Sequence, residues 1–150
     1  MTNIFEEVDP TVFRSYVFWS SVLVLKMLLM SILTARKRWA KKVFANPEDA
    51  KTTPGGKVNL ADPDVERVRR AHLNDLENIL PFFVIGFLYT LTNPPVFLAT
   101  NLFRLVAIAR IAHTLVYAVF VIPQPARGLS WAIGYFISAY MAVHTLLKFL

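Results

Sequence analysis

Asp62-Pro63-Asp64-Val65-Glu66-Arg67-Val68-Arg69-Arg70-Ala71-His72-Leu73-Asn74-Asp75-Leu76-Glu77-Asn78 runs without a break into Ile79-Leu80-Pro81-Phe82-Phe83-Val84-Ile85-Gly86-Phe87-Leu88-Tyr89-Thr90-Leu91. The two halves decide the fold together. The apolar half is too short to cross a bilayer core, which takes roughly 20 helical residues. The polar half supplies the missing length if it is helical. It opens with the signals of a helix start: Asp62 can cap, Pro63 suits the first turn, and Asp64 and Glu66 favour the positive helix end. A helix over 63–91 follows, and its first half carries charge into the membrane.

The rest of the chain supports that reading. Three further apolar stretches predict helices at about 11–36, 96–122 and 127–149. Asn93-Pro94-Pro95 and Gln124-Pro125 turn between them. Hydrophobic residues make up 55% of the 150, and mean hydropathy is +0.47. That is too apolar for a soluble domain of this size. The expected fold is all-α: one domain over 1–150, an integral membrane, polytopic four-helix bundle. Glu6, Glu7 and Asp9 lead the first segment, and no small-residue cleavage site follows it, so it reads as a span and not a cleaved leader.

Charge sets the orientation. The net charge is +6. Arg36, Lys37, Arg38, Lys41, Lys42, Lys51 and Lys57 all lie in the first loop, and the Asn93 loop has no Lys or Arg. The positive-inside rule puts the first and third loops in the cytosol. Cysteine is absent, which excludes disulfides, thiolate metal sites and cysteine nucleophiles. No metal is expected.

Polar residues inside the spans demand partners. A central Asp, Lys or Arg costs roughly 2.5–3.5 kcal/mol on insertion, against a gain of roughly 0.3–0.6 for Leu or Ile. Arg70, Asn74 and Glu77 fall at i, i+4 and i+7, on one helix face. Arg110, His113 and Tyr117 fall at i, i+3 and i+7, again on one face. The second and third helices are antiparallel, so Glu77 levels with Arg110 and Arg70 with Tyr117. The spacing predicts a polar cleft open to the cytosol. Its surplus of cations, with amide, imidazole and phenol groups, suits a small, multiply anionic ligand. Pro81 cannot donate to the Glu77 carbonyl, so a kink is expected there. Asp75 points off the Asn74 face and reads as structural, with His72 at i−3. Lys26 and Arg104 read as structural or snorkelling cations.

Three stretches carry a resemblance: Val43-Phe44-Ala45-Asn46-Pro47-Glu48-Asp49, the whole of 65–78, and Ala109-Arg110-Ile111-Ala112-His113-Thr114. Together they resemble the MAPEG family, membrane-associated proteins of eicosanoid and glutathione metabolism. Leu73 and the loop Pro123-Gln124-Pro125-Ala126-Arg127-Gly128-Leu129-Ser130 are similar to the glutathione transferases of that family. The prostaglandin E synthase pattern has Arg at the former position and Arg-Ser in place of Arg127-Gly128.

The resemblance implies a homotrimer in the endoplasmic reticulum or mitochondrial outer membrane, with glutathione as co-substrate in a cleft between subunits. It implies glutathione contacts at Arg38, Arg70, His72, Asn74, Glu77, His113 and Tyr117, with Arg110 close by, and Arg127 near the thiol. One departure stands out. The mammalian transferases carry Cys after Asn-Pro-Glu-Asp, and here that residue is Ala50.

The chemistry so implied is conjugation of the glutathione thiolate to lipophilic electrophiles, with peroxidase activity as an extension. Three alternatives use the same helices. One is a glutathione-dependent isomerase of a lipid endoperoxide, like prostaglandin E synthase. Another is a non-catalytic lipid-binding scaffold. The third is a proton-coupled exporter carrying the proton on Glu77 or Asp75. The dense arginine set argues against the exporter, because it holds an acid ionised.

Overall fold

A computed structural model describes residues 8–150. Glu6 and Glu7, which enter the argument about the first segment, lie outside the described residues. The first helix, α1 (Pro10–Lys41), starts where Asp9 accepts from the amides of Thr11 and Val12 at 2.7 and 3.1 Å. Its 32 residues reach about 48 Å at 1.5 Å per residue, well beyond a bilayer core of about 30 Å. The sequence reading ended this helix near residue 36. The extra turns carry Lys37, Arg38 and Lys41, residues that favour a helix C-terminus. Lys42 then breaks the helix in the left-handed region, at φ 54°.

The first loop holds more structure than its turn residues suggested. Val43–Phe44 (β1) pairs in parallel with Lys57–Val58 (β2), Val43 opposite Lys57 and Phe44 opposite Val58. The short helix α2 (Pro47–Lys51) makes the crossover. An all-α reading missed this pair because two-residue strands leave no periodicity to detect. Gly56 is required there. A Cβ at that position would stand 2.4 Å from the Ala50 carbonyl oxygen.

The deciding stretch forms α3 (Pro63–Thr90), capped by Asp62 on the amides of Asp64 and Val65. It continues through Pro81 as one helix. α4 (Val96–Thr114) passes into a π-helical turn over Leu115–Val119. This replaces the straight helix expected to residue 122. α5 (Ala126–Lys148) completes the chain.

α1 packs on α3 and α4, and α5 packs on the same two. Between them Leu23, Ile79, Phe82, Phe103, Val106 and Met141 form the main core. A smaller cluster of Met30, Val68, Ala71 and Ala118, with Tyr117 against it, lies toward the end bearing the first loop. Outward, Leu25, Leu28, Leu29 and Ile32 of α1 are 60–63% exposed. An apolar face of that kind fits lipid and not water. α1 and the continuous helix Val96–Val119 are long and apolar enough to cross a membrane. α3 and α5 are more polar. α3 carries Arg67, Arg70, Asp75 and Glu77, and α5 carries Ser130, Trp131, Tyr135, Ser138 and His144.

Candidate functional site

α3, the end of α4 and the first turns of α5 enclose a cleft of about 430 Å³. α3 contributes Arg70, Leu73, Asn74 and Glu77. The α4 end contributes His113 and Tyr117. The approach to α5 and its first turns contribute Gln124, Arg127, Gly128 and Trp131. Six residues expected at the site therefore meet here: Arg70, Asn74, Glu77, His113, Tyr117 and Arg127. The helical spacing that put Arg70, Asn74 and Glu77 on one face describes the α3 wall correctly.

The π-helical turn shapes the opposite wall. Phe120 donates its amide to the Leu115 carbonyl at 2.8 Å, an i→i+5 bond. Such turns hold one more residue than an α-turn and are frequent at functional sites. Tyr117 lies within it. The Arg127 guanidinium carbon sits 4.6 Å from the centre of the Tyr117 ring, a cation–π distance. The same ring packs edge-to-face on His113, with centres 5.5 Å apart. Among the described residues Arg127, Arg70 and Glu77 form no ion pair. The cleft thus exposes two cations and one acid whose charges are not spent on the protein.

Arg110 differs from the expectation. It is 1% exposed and lies beneath the cleft wall, not in it. Its Nη2 donates to Asp75 Oδ1 at 2.7 Å and to Asn74 Oδ1 at 2.9 Å. Lys26 from α1 pairs with the other Asp75 oxygen. The acid opposite Arg110 is thus Asp75, while Glu77, expected level with it, faces the cleft. Lys26 is paired and buried and does not snorkel. Two cations and one acid leave this centre at net +1, with Arg110 Nε and Nη1 lacking protein partners. Breaking such a buried pair leaves an uncompensated charge and costs about 3–5 kcal/mol.

Arg38 and His72 lie outside the cleft. His72 lines a separate groove with Ser31, Thr34 and Arg69, on a different face of α3 from Glu77. It is not the partner of Asp75. Arg38 Nη1 is buried with no hydrogen-bond partner. Arg104 is exposed, its Nη1 3.4 Å from Asn101 Oδ1. Sequence reasoning missed Leu73, Gln124 and Trp131 as cleft residues. Trp131 was findable at i+4 from Arg127, and Leu73 at i+3 from Arg70. Gln124 carried no signal beyond its turn context.

Outside the membrane segments, Lys41 and Asp64 pair at 2.5 Å and clip the end of α1 to the start of α3. That hydrogen bond and charge raise Lys41 above its usual value and lower Asp64 below its own. Among the described residues no cluster of three His, Asp or Glu side chains could hold a metal ion.

The sequence matches the profile of the MAPEG family over residues 16–147. The chain belongs to the MAPEG family. Among its MAPEG relatives, human microsomal glutathione S-transferase 1 is 45% identical over 150 residues, covering 97% of this chain and 96% of the relative. The rat protein of the same name is 42% identical with the same coverage. Human prostaglandin E synthase is 39% identical over 132 residues, covering 88% of this chain and 86% of the relative.

Proposed function

We propose that this chain is a membrane-bound glutathione transferase that joins the glutathione thiolate to lipophilic electrophiles. The observation that carries the reading is the set of unspent charges in the cleft. Glutathione brings two carboxylates, an ammonium and a thiol. Arg70 can take a carboxylate as a forked donor. Glu77 can take the ammonium, and Asn74, His113 and Tyr117 line the peptide's path. Arg127 is the catalytic candidate. In no ion pair among the described residues and resting on the Tyr117 ring, it can give its charge to the thiolate, the nucleophilic form. The relatives named for glutathione transfer support the assignment.

Assembly supplies what one chain leaves apart. In a homotrimer with the site between subunits, the α1–α3 groove bearing His72 and the unpartnered Arg38 donor face the cleft of a neighbour. The single domain over 1–150 then spans the membrane four times, in the endoplasmic reticulum or mitochondrial outer membrane. Its first loop is cytosolic. Protease added to sealed microsomes should cut near Lys51, and cleavage only after opening the vesicles would overturn this topology. A groove of about 700 Å³ between α3 and α5 shares Asn74, Glu77 and Trp131 with the cleft and continues along Pro81, Ile85 and Ala142. It offers lipid-dissolved electrophiles a lateral entry. Attack of the same thiolate on a lipid hydroperoxide would break its O–O bond and release the lipid alcohol, and a second glutathione would then give the disulfide and water, adding peroxidase activity.

Purified protein in detergent, given glutathione and a chromogenic electrophile beside a lipid endoperoxide, tests the function. Conjugation with equal consumption of glutathione supports transfer. Endoperoxide turnover that leaves glutathione unchanged would favour the isomerase reading, which the 39% identity to prostaglandin E synthase keeps in view. Neither activity, with lipid still bound, would point to the scaffold.

A further inference from the structure

The cleft contains two amide side chains, Asn74 and Gln124, and each has its oxygen tied to the protein. We propose that both are locked as hydrogen-bond donors toward the ligand, and that the buried Asp75–Arg110 pair sets specificity from beneath by holding Asn74 in that orientation. The inference rests on the glutathione reading and deepens it, by stating the polarity that the cleft presents at two points.

A guanidinium has five N–H donors and no acceptor. The end of the Asn74 amide that meets Arg110 Nη2 at 2.9 Å must therefore be its oxygen. The hydrogen-bond partner decides an amide orientation that shape alone leaves open. Arg110 is itself held in place. Its Nη2 also serves Asp75 at 2.7 Å, and Lys26 holds the second Asp75 oxygen. Gly134 packs over its stem so closely that a Cβ there would lie 3.4 Å from Arg110 Cδ. Asn74 Nδ2 is left for the cleft.

At the far wall the Gly128 amide donates to Gln124 Oε1 at 2.9 Å. A backbone N–H can only donate, so Gln124 Nε2 is the free end. Both amides therefore call for oxygen acceptors on the ligand. Peptide carbonyls and carboxylates provide them, and an ammonium or a second donor does not. Asp75 and Arg110 touch no ligand and are positioning residues.

Substituting Asp for Asn74, or Glu for Gln124, keeps the oxygen that the protein needs and turns the ligand-facing donor into an anion. The full chain in neutral-lipid nanodiscs, with glutathione in equilibrium dialysis and thermal unfolding alongside, tests this. Asn74→Asp should bind glutathione at least about tenfold more weakly than Asn74→Ala, because an acceptor facing an acceptor is worse than a gap. Gln124→Glu should likewise bind more weakly than Gln124→Ala. Gln124 is exposed, so this second pair decides the matter if a change at Asn74 prevents folding. Arg110→Lys can keep the Asp75 pair, but its ammonium stops short of the Nη2 position and releases the Asn74 oxygen, so it should weaken binding in the wild-type chain with no further loss in the Asn74→Ala background. Equal binding by the acid and alanine variants, or equal loss in both backgrounds, would overturn the proposal. A wild-type chain that binds no glutathione would instead sink the functional reading beneath it.

Discussion

Replacing Arg127 with alanine should raise the pKa of bound glutathione while leaving its affinity nearly intact. A free thiol has a pKa of about 8.5. One charge-assisted hydrogen bond contributes about 1.5–3 kcal/mol. At 1.36 kcal/mol per unit, that lowers the thiol by about 1.1–2.2 units, to between about 6.3 and 7.4. The structure puts Arg127 toward the upper end of that effect. Among the described residues no carboxylate pairs with it, and the Tyr117 ring 4.6 Å away orients the guanidinium without neutralising it. At pH 6.5 the thiolate fraction should then fall from between about a tenth and six tenths in the wild type to about one hundredth in the variant. Turnover should fall about ten- to sixtyfold when chemistry limits the rate. Thiolate ultraviolet absorbance, titrated against pH with glutathione bound, reads the pKa directly. Tyr117→Phe keeps the ring beneath the guanidinium and should leave this pKa low. Tyr117→Leu removes the ring and should raise it by part of the Arg127→Ala amount. An unchanged thiol pKa in Arg127→Ala, with the unfolding temperature also unchanged, would refute the reasoning and leave Arg127 as a cation at the membrane boundary.

The two acids of α3 should respond in opposite ways. Glu77→Gln should weaken glutathione binding without lowering the unfolding temperature, since Glu77 has no ion-pair partner among the described residues, while Asp75→Asn should destabilise by about 3–5 kcal/mol by stranding two buried cations. A collapse of stability in Glu77→Gln would reverse the assignment. The Lys41–Asp64 clip should hold across neutral pH. Its contribution is lost as pH falls through the Asp64 value, which lies below the usual 3.8, and as pH rises through the Lys41 value, which lies above the usual 10.5. Trp39, packed 5.2 Å from Phe44, should report the acid limb by fluorescence, and Asp64→Asn should abolish it. N-ethylmaleimide should not activate the enzyme, because the chain has no cysteine. A several-fold rise in rate on brief treatment would contradict that expectation.

The cleft was largely legible because helix periodicity is a property of one chain segment. Arg70, Asn74 and Glu77 share a face whatever α3 packs against, and the Asp62-Pro63 start signal fixed where that face begins. How each helix rotates against its neighbours was not legible. Asp75 is one step around from Asn74, and only the rotation of α3 against α1 and α4 turns it toward Lys26 and Arg110 instead of His72. Arg110 shares a face with His113 and Tyr117, as its spacing says, but the depth of that face decides that it supports the site from below. The π turn was invisible for a related reason. Leu115–Val119 reads as ordinary apolar helix, and the i→i+5 bond leaves no compositional trace. The paired strands Val43–Phe44 and Lys57–Val58 were too short to show an alternation.

That π turn has a consequence for comparing homologous sequences. It stores one residue in excess of a regular helix, so the segment 115–119 can absorb a single-residue deletion by reverting to α geometry. The helix would survive and the site would not. Reversion keeps the chain on either side in register but removes the wide turn that carries Tyr117. The ring now under Arg127 would swing away, and no substitution could restore it. A family alignment that slides a gap freely through 115–119 would therefore erase a functional boundary, since the count of residues between His113 and Arg127 carries as much information as their identity.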